Sequence, residues 1–396
     1  MSNWQELEHQ YFMHTFTRVP VTLVKGQGAR VWDDEGREYL DFVAGWAVNS
    51  LGHCHPAVAE ATSEQAHTLV QTSNQFYTVP QLQLAELLVQ NSCLDKIFFC
   101  NSGAEANEGA VKLARRYGKL NLNGAYEVIT AMNSFHGRTL AMTAATGQPK
   151  FQQPCLPLPA GFINVEYNSI EAIKAATSNQ TCAVMLEPIE AEGGVNIPDD
   201  KYLAAVRDWC DQKGILLILD EIQTGIGRTG TLFAYEQYGI EPDIMTLAKG
   251  LGSGVPIGAI LAKDEASVFV PGDHGSTFGG NVLACAASYA TLRFIIDHNI
   301  AGNAMRVGSY FMGKLEGLKR KYNFITDVRG RGLLIAIEFS SDIGQDLLNA
   351  CLAGGLLVNR LKPNALRFMP PLILGNEEVD QAITILDKAL GSMASA

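Results

Sequence analysis

Gly214-Ile215-Leu216-Leu217-Ile218-Leu219-Asp220-Glu221 and Asp243-Ile244-Met245-Thr246-Leu247-Ala248-Lys249-Gly250 are the two stretches whose reading settles the fold. Each is a short unbroken apolar run, the pattern of a strand buried on both faces, and each delivers one charged side chain at its end. Asp220 closes the first run. Lys249 closes the second and opens into the glycine-rich turn Gly250-Leu251-Gly252-Ser253-Gly254. In an open α/β sheet, ligands sit outside the carboxyl ends of the strands, so both groups are expected to face one crevice.

Outward from these runs the same pattern repeats. Helical stretches at 56–69, 81–90, 104–120 and 202–212 alternate with apolar strands at 97–99, 128–130, 184–186 and 216–219. Alternation of this kind predicts βαβ units and a mainly parallel sheet. Within 202–212, Tyr202, Val206 and Trp209 recur at helical spacing and give one apolar face to lay on that sheet. Upstream, 30–32 and 39–42 flank the turn sequence Asp34-Glu35-Gly36 and read as a hairpin. Beyond Gly279-Gly280-Asn281, one long helix runs to about His298 and another spans 302–321. A smaller α+β region follows, with strands at 333–339 and 365–368. No internal repeat or low-complexity tract interrupts the chain.

The 396 residues suffice for a sizeable core and more than one domain, and 47% hydrophobic with 18% charged residues is the composition of an ordinary globular protein. A net charge of -11 repels phosphate backbones and anionic membranes, so no nucleic-acid or membrane partner is expected. A phosphate ligand would need a local site. The longest apolar runs fall far short of the roughly 20 residues of a membrane span. The 8 cysteines are scattered without a C-x-x-C pair, and the amino terminus lacks a basic stretch leading into a long apolar one, which together point to the cytoplasm. His53-Cys54-His55 has no second ligand pair, and Pro56 makes it a helix entry rather than a metal site.

A lysine held among apolar neighbours loses hydration, its pKa falls, and its amine can attack a carbonyl to form a Schiff base. A carboxylate in the same crevice can partner the ring nitrogen of a bound cofactor. That is the logic of pyridoxal phosphate. Read singly, a lysine after a strand is more often a solvated charge or a member of an ion pair.

Four other runs should converge on the crevice. Asn101-Ser102-Gly103-Ala104-Glu105 follows a strand and opens a helix, so the N–H groups of Ser102, Gly103 and Ala104 can hold a phosphate, or Ser102 can serve as a plain N-cap. Phe135-His136-Gly137-Arg138 offers a ring to stack on a planar cofactor and a guanidinium to grip a carboxylate, or else a core Phe beside a surface Arg. Glu187-Pro188-Ile189-Glu190-Ala191-Glu192 crowds three carboxylates, which either a solvated loop or a site visited by a cation must explain. Gly275-Ser276-Thr277-Phe278-Gly279-Gly280-Asn281 is a further candidate phosphate contact, or a flexible surface loop.

With Asp220-Glu221-Ile222-Gln223 and Leu247-Ala248-Lys249-Gly250, these runs stand in the order seen in class III pyridoxal-phosphate aminotransferases, a family the chain resembles over nearly its whole length. The resemblance implies an α/β fold, the fold type I of PLP-dependent transferases, whose large domain has a mainly parallel seven-stranded sheet beside a smaller α+β domain. The expected division is 1–54 as an N-terminal segment contributing to the small domain, 55–290 as the large cofactor-binding domain, and 291–396 as the C-terminal small domain.

The resemblance further implies pyridoxal 5'-phosphate as cofactor and no metal. Lys249 would hold the cofactor and shuttle the proton. Asp220 would keep the pyridine nitrogen protonated. Phe135 would stack on the ring, His136 and Glu187 would lie beside it, and Gln223 would sit near its hydroxyl. Ser102, Gly103 and Ala104 would bind the phosphate, joined by Thr277 from a second subunit, which makes a homodimer with shared active sites. On the substrate side, with Ser276 nearby, Arg138 would hold the carboxylate remote from the reacting carbon. Arg367 would take the α-carboxylate of glutamate and pair with Glu192 when no such carboxylate is present.

Val24-Lys25-Gly26-Gln27-Gly28, Leu51-Gly52-His53-Cys54-His55-Pro56 and Thr224-Gly225-Ile226-Gly227-Arg228-Thr229-Gly230 are most similar to members that pass the δ-amino group of N2-acetylornithine to the 2-oxo acid 2-oxoglutarate in arginine biosynthesis. Donors of related members are succinylornithine, ornithine, 4-aminobutyrate and lysine-pathway amines. Two departures stand out. Glu190-Ala191 replaces a common Gln-Gly, adding a negative charge and a methyl near Glu192, and Ala104 replaces a frequent threonine.

Two other classes compete. Gly225-Ile226-Gly227-Arg228-Thr229-Gly230 matches G-x-G-x-x-G, the mark of a dinucleotide-dependent oxidoreductase, but that motif needs glycine at the strand end and a helix next. Asp220 to Thr224 intervene, and Thr231-Leu232-Phe233 reads poorly as a first helical turn. A non-catalytic binding protein on the same scaffold is the other, and the retained Lys249 and Asp220 speak against it.

Overall fold

The computed structural model describes residues 3–394. After the helix Asn3–Tyr11 come three strands, β1 (Leu23–Gln27), β2 (Arg30–Asp33) and β3 (Glu38–Asp41). The expected hairpin is β2–β3, and its turn is fixed by Asp33, whose Oδ1 accepts the backbone N–H groups of Glu35 (3.1 Å) and Arg37 (2.8 Å). β1 adds an antiparallel partner to β2 that the reading of the sequence did not include.

Seven strands then build the central sheet: β4 (Lys96–Cys100), β5 (Glu127–Ala131), β6 (Phe162–Val165), β7 (Thr181–Leu186), β8 (Leu216–Asp220), β9 (Ile244–Leu247) and β10 (Gly258–Ala262). Their order is β4-β10-β9-β8-β7-β5-β6. Pairing is parallel from β9 through to β6, and β10 runs antiparallel to both β9 and β4. Every residue of β7, β8, β9 and β10 is buried, which is why these strands are apolar throughout rather than alternating.

Helices cover the faces. The helix Gly103–Asn121 turns small residues such as Ala106, Ala110 and Ala114 to the sheet, so its backbone comes close. A Cβ on Gly109 would stand 2.2 Å from Ile260 Cδ1. The helix Tyr202–Lys213 buries Tyr202, Leu203, Val206 and Cys210, while the expected third contact, Trp209, is only half-buried and bonds Thr177 Oγ1 through Nε1 (3.0 Å). It stops at Gly214, whose φ of 66° is left-handed and lets its N–H return to the carbonyls of Cys210 and Asp211. Any other residue there would cost about 1 kcal/mol. The sharp stop sends Ile215 directly into β8, and so sets where Asp220 emerges.

The C-terminal part holds β11 (Ile325–Arg331), β12 (Leu334–Phe339), β13 (Leu356–Leu357), β14 (Asn359–Lys362) and β15 (Ala365–Phe368). Four of them form an antiparallel sheet in the order β11-β12-β15-β14. β13 pairs in parallel with β3, tying the N-terminal hairpin to this region. The helices Val282–Asp297, Ile300–Lys321, Gly344–Ala353 and Asn376–Ala394 complete it. Phe42, Phe311 and Phe368 meet edge-on with centroids 5.2 to 6.4 Å apart, joining the N-terminal segment to the C-terminal sheet.

Candidate active site

A cavity of about 410 Å³ opens at the carboxyl ends of the central strands. Asp220, the last residue of β8, is in register with Thr246 of β9, so the turn that follows β9 brings Lys249 to the same end of the sheet. Both line the cavity. Lys249 has φ 39°, left-handed for a residue with a Cβ, at a cost of roughly 1–2 kcal/mol. The tight turn Lys249–Leu251 imposes it, with Leu251 N–H donating to Ala248 O (2.9 Å) and Gly252 N–H to Lys249 O (3.2 Å). Strain of this kind persists only where the surroundings over-determine it. Burial draws the Lys249 amine below its ordinary pKa. Of the neighbouring charges, Glu192 opposes the fall most, Arg367 adds to it, and Asp220 and Glu187 oppose it.

Asp220 is 3% exposed and tightly held. Its Oδ2 accepts from Asn107 Nδ2 (2.7 Å) and His136 Nδ1 (2.8 Å), and its Oδ1 from Ile222 N–H (3.0 Å). Asn107 is oriented in turn by Thr246 Oγ1, which donates to its Oδ1 (2.7 Å). A carboxylate has about four lone-pair positions, so one remains for an N–H presented from the cavity. Asn107 was missed at the level of sequence. Its signal was a polar residue on the otherwise apolar, sheet-facing stripe of its helix.

At another part of the wall lies the start of the helix Gly103–Asn121. Ser102 is its N-cap, accepting Glu105 N–H at 3.2 Å, so the plain capping role holds. The first N–H groups of the helix still lack intrahelical acceptors, and Ser102, Gly103 and Ala104 all line the cavity. A Cβ on Gly103 would stand 2.8 Å from Ile222 Cδ1.

Phe135, His136 and Arg138 line the cavity together. His136 is buried, and its Nε2 has no hydrogen-bond partner among the described residues. Arg138 is exposed, forms no ion pair among the described residues, and rests on two rings, 3.9 Å from the centroid of Phe151 and 5.5 Å from that of Phe135. Phe151 was also missed, because it arrives from the separate short helix Pro149–Gln152.

The crowded carboxylates do not form a solvated loop. Glu187 lines the cavity and is buried, its oxygens taking the N–H groups of Phe135 (2.9 Å) and Ala191 (3.1 Å). Burial pushes it up to about 8, with Asp220 and Glu190 in the same direction and His136 against. Glu190 is pushed up to about 7 by burial, against Asn196 and Lys362. Glu192 Oε1 meets Arg367 Nη2 at 2.8 Å. Arg367, on β15, also bonds Ala191 O, Gln223 Oε1 and Asn359 Oδ1. Gln223 lines the cavity, so the Arg367 cluster adjoins it.

Ser276 and Thr277 stand apart. Ser276 Oγ accepts from Asn101 Nδ2 (3.1 Å), while Thr277 is exposed and does not line the cavity of its own chain. The turn after Gly225-Ile226-Gly227-Arg228-Thr229-Gly230 leads to the short 3-10 helix Ala234–Tyr238, without the α-helix that dinucleotide binding needs.

Behind the site, Glu221 is buried, accepts from Ala234 N–H, Tyr235 N–H and Thr224 Oγ1, and is pushed up to about 7 by burial. An acid raised in the fold contributes stability that is whole below its unfolded pKa of about 4.3 and is lost as pH rises through the folded value. Glu221→Gln should therefore gain melting temperature relative to wild type between about pH 5.5 and pH 8.5. Paired calorimetric scans check it, and a difference that shrinks with rising pH contradicts the assignment.

The match to known proteins is as extensive as the geometry suggests. The family described as Aminotransferase class-III matches residues 11–390. Acetylornithine aminotransferase of Caldanaerobacter subterraneus subsp. tengcongensis is 52% identical over 98% of this chain and 98% of its own length. The protein of that name from Methanocaldococcus jannaschii is 51% identical over 98% and 97%. Among solved structures, ornithine aminotransferase from Toxoplasma gondii superimposes with a TM-score of 0.95 at 36% identity, over 99% of this chain and 95% of that one. With the family spanning every residue that builds the cavity, the chain belongs to the class-III aminotransferases.

Proposed function

We propose that the chain transfers the δ-amino group of N2-acetyl-L-ornithine to 2-oxoglutarate, giving N-acetylglutamate semialdehyde and glutamate. The observation that carries the reading is one cavity bearing a desolvated lysine and a triply bonded aspartate, next to an arginine already paired with a glutamate. Relatives at 51 to 52% identity that bear the acetylornithine name support this donor over ornithine, whose enzyme in Toxoplasma is 36% identical.

Pyridoxal 5'-phosphate is the cofactor of the family, and the residues present fit it. The helix start at Ser102-Gly103-Ala104 offers N–H groups to a phosphate, Asp220 keeps a lone pair for a ring N–H, and Phe135 offers a ring face. When bound, the cofactor supplies an electron sink for the carbon that loses a proton. Lys249, with its lowered pKa, takes that proton and returns it. Asp220 would hold a protonated ring nitrogen, and His136 and Asn107 hold Asp220. Arg138, paired with no acid among the described residues, grips the carboxylate remote from the reacting carbon. Glu192 covers Arg367 while the donor is bound and withdraws for the α-carboxylate of the acceptor.

A homodimer with shared sites belongs to the same reading. Beside Thr277, Phe278 is 62% exposed, and Tyr77 on the adjoining segment is 93% exposed, the sort of apolar patch that a second subunit covers. Gln71 Nε2 donates to Thr277 O and Asn74 Nδ2 to Ser276 O, so the segments would meet a partner together. The pairing of β13 with β3 supports assigning 1–54 and 291–396 to one small domain beside 55–290. Eight unpaired cysteines support a cytoplasmic setting, and no helix among the described residues is long and apolar enough to cross a membrane.

Absorbance of the cofactor-loaded protein, followed as single amino donors are added, tests the function. Acetylornithine should convert the cofactor at least about tenfold more efficiently than ornithine or 4-aminobutyrate, a difference of about 1.4 kcal/mol. Conversion by 4-aminobutyrate but not acetylornithine would replace the substrate and keep the class.

A further inference from the structure

Arg367 is 1% exposed, and its guanidinium is completely bonded. Nε and Nη2 donate to Asn359 Oδ1 at 3.1 and 2.9 Å, and Nη2 also donates to Glu192 Oε1 at 2.8 Å. Nη1 donates to Ala191 O at 3.0 Å and Gln223 Oε1 at 3.2 Å. A guanidinium has five N–H groups, and this set accounts for all of them.

The four acceptors differ in how they are held. Asn359 lies on β14 directly opposite Arg367 of β15 in the antiparallel ladder, so the two cannot part without breaking the sheet. Ala191 is anchored by its own N–H, which donates to Glu187 Oε2 (3.1 Å). Glu192 and Gln223 follow strands β7 and β8 in loops, and apart from Arg367 their side chains bond, among the described residues, only each other, Gln223 Nε2 to Glu192 Oε1 at 3.4 Å. The fixed pair of acceptors takes Nε, one Nη2 hydrogen and one Nη1 hydrogen. The yielding pair takes the second hydrogen of each terminal nitrogen. A carboxylate binds a guanidinium through two parallel N–H groups, and those two hydrogens are the ones that Glu192 and Gln223 can release.

We propose that Asn359 is a positioning residue for the acceptor half-reaction: it holds the Arg367 plane while Glu192 withdraws, so that the Nη1–Nη2 edge is presented to an incoming α-carboxylate. This rests on the functional reading above. Without Asn359, a long side chain that has lost Glu192 has three N–H groups without acceptors and is free to follow the glutamate. The acceptor then meets a misaligned cation. The donor half-reaction, in which Glu192 stays on Arg367, does not call on this support.

The test measures both half-reactions separately on the cofactor-loaded protein by stopped-flow absorbance. Asn359→Ala should raise the apparent KM for 2-oxoglutarate by about tenfold or more, as loss of hydrogen bonds to a charged group implies. Its efficiency with acetylornithine should stay within about threefold of wild type. Asn359→Leu, of nearly the same size but without an acceptor oxygen, should impair the acceptor in the same selective way. If Asn359→Ala is too unstable to assay, Asn359→Leu decides alone. Equal loss in both half-reactions, or no change in their ratio for either variant, overturns the proposal. Wild type that converts neither substrate would count against the functional reading instead.

Discussion

Lys249→Ala should cut turnover by about 10⁴-fold or more, since it removes the group that both anchors the cofactor and moves the proton. The fold should survive. Among the described residues the ε-amine makes no hydrogen bond, and alanine carries the same Cβ into the same φ of 39°, so backbone strain is unchanged. Removing a buried amine from low-dielectric surroundings should leave the melting temperature of the cofactor-free protein equal or higher. Lys249→Gly adds a separate check, because glycine relieves the left-handed strain and should be more stable than Lys249→Ala by about 1 kcal/mol. Single-turnover rates with a small primary amine added should recover in part for Lys249→Ala, which a purely structural defect would not show. Retention of more than about a hundredth of wild-type turnover would contradict the assignment.

Asp220→Asn is the second large effect, an expected loss of about 10³-fold in kcat, in the range for deleting a preorganised charge partner. It should also destabilise. Asn107 Nδ2, His136 Nδ1 and Ile222 N–H all point donors at the carboxylate, and an asparagine offers only one acceptor oxygen to the three. Its amide nitrogen must confront a donor, at a cost of about 1–3 kcal/mol. Steady-state kinetics and thermal melts on one preparation separate the two consequences. A variant that melts lower but keeps kcat within about tenfold would make Asp220 a structural residue only.

What could be read without coordinates was the part that local chemistry controls. The runs ending in Asp220 and Lys249 are short and apolar at consecutive positions, the pattern of a strand buried on both faces. The stop at Gly214 and the N-cap at Ser102 are likewise written in single residues. The antiparallel β10 was not legible, because Gly258-Ala259-Ile260-Leu261-Ala262 is short and rich in residues that favour helix or neither state. Ala44-Gly45-Trp46-Ala47 was invisible too, four successive residues with φ between 48° and 64°, only one of them glycine. Asp41 Oδ1 fixes its entry by accepting the N–H groups of Val43 and Ala44, and Val48 just beyond lines the cavity.

Within the site, side chains that follow strands could be placed, whereas their supports could not. Asn359 reaches Arg367 through sheet register, and Ala191 contributes a backbone carbonyl, which no side-chain pattern announces. Phe151 meets Arg138 from a different element. The three carboxylates of Glu187, Glu190 and Glu192 were open between loop and site, and burial of the first two decided it.

Borohydride reduction of the cofactor-loaded protein, followed by proteolysis and peptide mass mapping, asks which lysine meets the cofactor in the cavity that Asp220 shares. A cofactor adduct on the peptide containing Lys249 and on no other, and its loss in Lys249→Ala, is the predicted result. An adduct on a different lysine, or one spread over surface lysines with Lys249 unmodified, would contradict it.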